Sequence, residues 1–267
     1  MGDTLTHHVE AVWQNVVPVL PGFTVEVLPS IDSTNSELMR RARSGLMEPV
    51  LLVAEEQTAG RGRVGKAWHS RRGQSLTFSL ALPMAPASWS GLSLAVGVSL
   101  ANSLHPDVRL KWPNDLWLHE RKLGGILVET ASTGDATQGL RMVVIGIGLN
   151  VARPDAEAVA SLGDVPSAMP AMAPAGLAEI LVGVTAGEVL AMVAPALAQD
   201  LRAFESQGFA AFAQRFAQRD ALRGRSLQLS DGTRGTGCGV GEDGALQVLT
   251  EHGMRSVTSA EVSVRPC

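Results

Sequence analysis

Eight residues, Gly60-Arg61-Gly62-Arg63-Val64-Gly65-Lys66-Ala67, constrain the fold more than any other segment, because they satisfy two nucleotide-binding patterns while lacking the context of both. The dinucleotide fingerprint GxGxxG needs a helix directly after the glycines and an acidic residue about 20 positions further on. Here a tryptophan, a glycine and a strand-like apolar run follow, and no Asp or Glu occurs between Gln57 and His105. The P-loop needs a hydroxyl for Mg²⁺ where this chain has Ala67. A doubly wound nucleotide fold is therefore disfavoured. What survives is more general: glycines admit close backbone approach, their N–H groups can form an anion-binding concavity, and interleaved guanidinium groups reinforce it. Taken alone, the segment could equally be a solvated basic turn. With Lys66, Arg71 and Arg72 it forms a positive island on a chain of formal net charge -4, which an anionic ligand explains.

The rest of the composition is that of an ordinary globular protein, 45% hydrophobic and 18% charged over 267 residues. No run of about 18 apolar residues suggests a membrane span, and MGDTLTHHVEAVWQ lacks the layout of a secretory signal. A cytoplasmic location without membrane attachment is expected. Cys238 and Cys267 have no CxxC spacing, so neither a disulfide framework nor a zinc site is predicted. The mild acidity argues against DNA as a partner.

Residues 24–28 (TVEVL) alternate like a strand. SELMRRARS then reads as a helix, with Thr34 and Glu37 at capping-box spacing. Strands are predicted at 50–54 and 75–82, with the basic stretch between them, and a helix from about Ser90 to Leu104 before Pro106. VRLKW, DLWLH, LGGILVET and GLRMVVIGIGLNV continue a sheet of six or seven strands, the last two joined by ASTGDATQG. Residues 152–174 read as a long Ala-, Pro- and Met-rich connection. Helices at 177–201 and 209–216 follow, and beyond Gly224 short strands broken by Asp231-Gly232, Asp243-Gly244 and His252-Gly253 read as a small β-barrel. The predicted class is α+β: a central mixed β-sheet with helices packed on it over residues 1–221, and the barrel over 222–267.

IDSTNSEL, EEQTAGRGRVGKAWHS, KWPNDL, RKLGGILVE and IGIGLNV, in this order across residues 31–151, closely resemble the biotin protein ligase family. The resemblance implies a class II synthetase-like catalytic domain with an SH3-like C-terminal domain. The stretch before Ser33 is too short for the family's DNA-binding winged helix, so the monofunctional form is expected. The implied reaction is ATP-dependent: biotin is activated as biotinyl-5'-AMP and transferred to a lysine of a biotin carboxyl carrier protein. Lipoyl or octanoyl transfer on the related fold is one alternative, and a non-catalytic biotin or nucleotide sensor is another.

By the same resemblance, biotin is bound by Ser33, Thr34, Asn35, Gln57, Gly60, Arg61, Gly62, Arg63, Lys122 and Gly125. The ureido ring is neutral, so hydroxyl and amide groups suit it where charges would not. Ser33 to Asn35 could also be simply a helix cap. Nucleotide binding falls to Arg61, Arg63, Trp68, Lys111, Lys122 and Asn150, and the catalytic residues are Lys122 and Arg63. Bringing a carboxylate against a phosphate costs roughly 4 kcal/mol at about 4 Å and an effective dielectric of about 20, which these cations must offset. Mg²⁺ is expected on the ATP phosphates, with no protein ligand assigned to it, although Asp115 could orient a cation or help the acceptor lysine lose its proton. None of the six histidines is given a catalytic role. Ala260 stands where the family would carry glycine. A homodimer is left open.

Overall fold

The structure, a computed structural model, describes residues 5–132, 139–154, 174–258 and 264–266. A seven-stranded sheet organises the chain: β1 (Thr24–Leu28), β2 (Val50–Ala54), β3 (Ser75–Met84), β4 (Arg109–Lys111), β5 (Asp115–Leu118), β6 (Arg121–Ser132) and β7 (Arg141–Asn150), in the order β1-β2-β3-β7-β6-β5-β4. β1 and β2 are parallel and every other neighbouring pair is antiparallel, so the sheet is mixed as predicted.

Period-two alternation divides the long central strands between two faces. Leu76, Phe78, Leu80 and Leu82 of β3 and Val143, Ile145, Ile147 and Leu149 of β7 enter the main core. That core is completed by α1 (Thr6–Val16), α3 (Leu92–Leu104), α4 (Ala186–Gln207) and α5 (Ala210–Arg219). Among the described residues the opposite face is covered by one helix, α2 (Thr34–Arg43), packed through Leu38, Met39 and Ala42 on Leu52, Ala81, Met142 and Val144. Beyond the N-terminus of α2 this second face carries small residues, Ser79, Gly146 and Gly148, and leaves a space between helix, sheet and loop.

Three boundaries differ from the sequence expectation. Ser33, not Thr34, is the N-cap of α2: its hydroxyl accepts from Ser36 N at 3.3 Å, while Thr34 is turned inward and Glu37 pairs with Arg40 and Arg41. The helix expected from Leu177 starts at Ala186. A 3₁₀ turn covers 177–179, Gly183 adopts φ 76°, and Thr185 with Glu188 forms a fresh capping box. The helix α1 has no counterpart in the sequence reading.

The C-terminal strands β8 (Ser226–Leu229), β9 (Arg234–Val240), β10 (Leu246–Thr250), β11 (Gly253–Val257) and β12 (Val264–Pro266) form a second sheet in the order β11-β10-β9-β8-β12. Its turns fall at the three predicted Asp-Gly and His-Gly pairs, whose glycines adopt φ of 86°, 76° and 107°. No helix of the described residues is long and apolar enough to cross a membrane. The expectations for residues 155–173, for most of ASTGDATQG, and for Ala260 and Cys267 fall outside the described residues.

Candidate active site

The glycine and arginine stretch is a hairpin. Gln57 continues the parallel pairing of β1 and β2 by bridging Ile31, and Thr58 N and Ala59 N donate to Ile31 O and Asp32 O. The chain then leaves the sheet: Gly62 N donates to Lys66 O at 2.7 Å, Trp68 N donates to Gly60 O at 2.9 Å, and Arg61 bridges Ala67. Residues 63–65 make a 3₁₀ turn at the tip. Gly60 must be glycine, because a Cβ there would run into the Trp68 carbonyl.

This hairpin, the start of α2, the second face of the sheet and the β4–β5 turn enclose a cleft of about 490 Å³. Its two ends differ in chemistry. At one end Thr34 accepts nothing from the loop but gives: its backbone N–H donates to Gln57 Oε1 at 2.8 Å, and its hydroxyl lies 3.1 Å from the same oxygen and 2.7 Å from Ser79 Oγ. Ser79 Oγ donates to Asn35 Oδ1 at 2.8 Å, and Asn35 Nδ2 donates to Glu129 Oε2 at 2.8 Å. Gly146 lets Asn35 approach β7 and Gly148 does the same for the Trp68 ring, since a Cβ at either position would clash. Trp68 Nε1 is a buried donor without an acceptor among the described residues. Such a group costs about 1–3 kcal/mol unless a ligand or water accepts from it.

The other end is cationic. Lys122 Nζ lies 2.8 Å from Asp115 Oδ1, and Lys111 Nζ sits 4.9 Å from the centroid of the Trp117 ring. Arg63 donates to Asn114 Oδ1 at 3.1 Å, and Asn114 Nδ2 is fixed in turn on Ile126 O. Burial pushes the Arg63 guanidinium below its ordinary pKa range, and the Asp115 carboxylate opposes that shift. Arg61 is tied to the neutral end, donating to Ser36 Oγ at 3.2 Å and pairing with Glu129 Oε1 at 3.1 Å.

Of the sequence-predicted residues, Ser33, Thr34, Asn35, Gln57, Arg61, Gly62, Arg63, Trp68, Lys111, Lys122 and Gly125 all line this one cleft. Gly60 does not line it. The Asn150 amide is directed to Ala175 O at 3.0 Å rather than into the cleft. Sequence reasoning missed Ser79 and Glu129, and it gave Asn114 no role of its own within KWPNDL. Glu129 was within reach, because it shares the period-two face of β6 with Gly125 and Leu127 and closes the quoted RKLGGILVE.

The chain matches the biotin/lipoate A/B protein ligase family over residues 27–150. It is 36% identical to the bifunctional ligase/repressor BirA of Escherichia coli over 263 residues, covering 94% of this chain and 77% of that protein. With the biotin--[acetyl-CoA-carboxylase] ligase of Paracoccus denitrificans it shares 33% identity over 247 residues, 88% of this chain and 98% of that one. Among solved structures, the biotin protein ligase from Aquifex aeolicus in complex with biotin and ATP superposes with a TM-score of 0.73 at 27% identity, covering 91% of this chain and 99% of that one.

Proposed function

The chain belongs to the biotin protein ligase family, and from that footing we propose that its cleft joins biotin and ATP into biotinyl-5'-AMP and passes the biotinyl group to a lysine of a biotin carboxyl carrier domain. One observation carries the reading: a single cleft sets a neutral polar end (Thr34, Asn35, Gln57, Ser79) against a cationic end (Arg63, Lys111, Lys122). A neutral cyclic urea suits the first. A carboxylate meeting a triphosphate needs the second.

With the ring held at the Thr34 end, the acid tail points along the hairpin toward Arg63 and Lys122. A carboxylate oxygen attacks the α-phosphorus, the new O–P bond forms, and the bond to pyrophosphate breaks. Lys122 exchanges Asp115 for the reacting oxygens, and Arg63, prealigned by Asn114, stabilises charge as it develops. Asp115 is a hard oxygen donor on the cleft wall and fits a Mg²⁺ arriving on the triphosphate, where the metal would neutralise the departing pyrophosphate. In the second step the neutral carrier amine attacks the acyl carbon, the bond to AMP breaks and AMP leaves, and loss of one amine proton to solvent leaves an amide. The hairpin covers the mixed anhydride and keeps water from it.

The test is mass spectrometry of a biotin carrier domain incubated with the protein, biotin and MgATP. A single biotinyl adduct on one lysine is expected. Biotin-dependent exchange of labelled pyrophosphate into ATP isolates the first step, and exchange driven by lipoate in place of biotin would overturn the substrate assignment.

A further inference from the structure

We propose that Trp117 is a positioning residue of the cationic end: its ring face holds the Lys111 ammonium as a second, separate cation for the triphosphate while Lys122 keeps Asp115. This rests on the cleft being the site where biotin meets ATP.

The strand pattern creates the arrangement. Asp115 and Trp117, two apart on β5, share one face of the sheet. On one side of β5, Lys111 of β4 stands directly opposite Asp115. On the other side, β5 pairs with β6 as Asp115 to Gly125 and Leu116 to Gly124, then passes over Leu123 to join Trp117 with Lys122. That one-residue bulge brings Lys122 onto the face of Gly125, where a Cβ added to Gly125 would lie 3.5 Å from Lys122 Nζ. Two lysines from neighbouring strands thus converge on one carboxylate. Lys122 takes it, reaching diagonally along the ladder to Asp115 Oδ1 at 2.8 Å. Lys111 reaches diagonally the other way, and its Nζ lies 4.9 Å from the centroid of the Trp117 ring.

The two supports differ in kind. A carboxylate cancels the charge that it holds, and an arriving phosphate has to displace it. An aromatic face attracts the ammonium through the ring quadrupole and leaves its charge whole. Lys111 and Trp117 are both half-buried, so solvent ions screen the contact only in part. Lys111 lines the cleft and Trp117 does not. An anion in the cleft therefore meets the ammonium while the ring still holds it, and the contact persists through binding.

Calorimetry of α,β-methylene-ATP with Mg²⁺ and saturating biotin tests this, since that analogue cannot release pyrophosphate. Trp117→Leu is expected to weaken its binding about two- to fivefold, the range of one cation–π contact. Trp117→Phe keeps a ring and should recover most of the loss. Lys111→Met should weaken binding at least as much as Trp117→Leu, and combining the two should add nothing further, because the ring acts only through that ammonium. Biotin without nucleotide should bind all of these proteins alike. Nucleotide affinity unchanged in Trp117→Leu, a loss that Trp117→Phe does not recover, the same loss with Lys111→Met already present, or a parallel fall for biotin each overturns the role of Trp117. Failure of wild type to bind the analogue takes down the proposed function instead.

Discussion

Under the proposed function, Lys122 is a side chain that matters to chemistry and little to the fold. Its side chain is 45% exposed and its partner Asp115 18% exposed, and solvent screening leaves such a pair about 0–1 kcal/mol of stability. The same ammonium lines the cleft with Arg63, where the proposed reaction would develop charge as carboxylate meets phosphate. Lys122→Met should therefore lower biotin-dependent pyrophosphate exchange by roughly 10²–10³-fold, with the unfolding midpoint within a degree or two. Exchange at the wild-type rate would remove Lys122 from the mechanism. Residues of this kind entered the sequence reading through the resemblance that RKLGG and GRGRVGK carry, and the structure brings them into one cleft. Ser79 was not legible: in SLTFSL it is one of three alternating polar residues of a buried strand, and its meaning appears only when Asn35 and Thr34 arrive from a helix 44 and 45 positions upstream.

At the scale of elements, alternation located every strand of the main sheet to within a few residues, because a strand buried on one or both faces records its surroundings in every second side chain. Helix ends were less legible. α1 has Leu5 at its N-cap with no side-chain bond, no acidic first turn and no basic last turn, so its position comes from burying Val12 and Val16 in the main core. At 177–184 the apolar spacing of Leu177, Ile180, Leu181 and Val184 imitates a helix that Gly183 interrupts. The active-site hairpin has its own local conflict. Val64 sits at its tip with φ 54° and ψ 38° and is 90% exposed, a left-handed conformation that costs a β-branched residue about 1–2 kcal/mol and gains no burial in return. Asparagine tolerates that region, so Val64→Asn should favour the hairpin geometry over open alternatives. Trypsin reports on this directly, since Arg61, Arg63 and Lys66 flank the tip. Cleavage there is expected to slow several-fold in the ligand-free variant, roughly the factor that 1 kcal/mol gives. Unchanged cleavage kinetics would mean that Val64 does not limit the hairpin.

Across the whole molecule, the question is how a five-stranded sheet of small size stays folded, given that so few residues bury little apolar surface by themselves. It leans on the catalytic sheet. Trp112, 2% exposed and part of the cleft wall, donates from Nε1 to Gly244 O at 3.0 Å, and Ser90 Oγ reaches Asp243 O. Asp220 lies where the chain crosses from α5 to β8, with its backbone bridged to Leu110 of β4. Its Oδ1 accepts from Leu222 N at 2.8 Å, whereas Oδ2 is buried without a hydrogen-bond partner among the described residues. Burial accordingly raises its pKa above 3.8, with the Leu222 N–H opposing the shift. An acid whose folded pKa is raised contributes stability that is fully present below 3.8 and is lost as pH rises through the folded value, because the folded state then holds a proton that the unfolded state has released. At neutral pH the buried carboxylate is therefore a liability at the junction of the two sheets. Asp220→Asn retains the acceptor for Leu222 and removes the charge. Its unfolding midpoint should exceed that of wild type at neutral pH, and the difference should shrink as pH falls toward about 4. Because Asp220 stands between the sheets, the gain should appear in one shared transition rather than in an early one confined to the C-terminal strands. A difference that stays constant across this pH range would mean that the charge is not what burial penalises there.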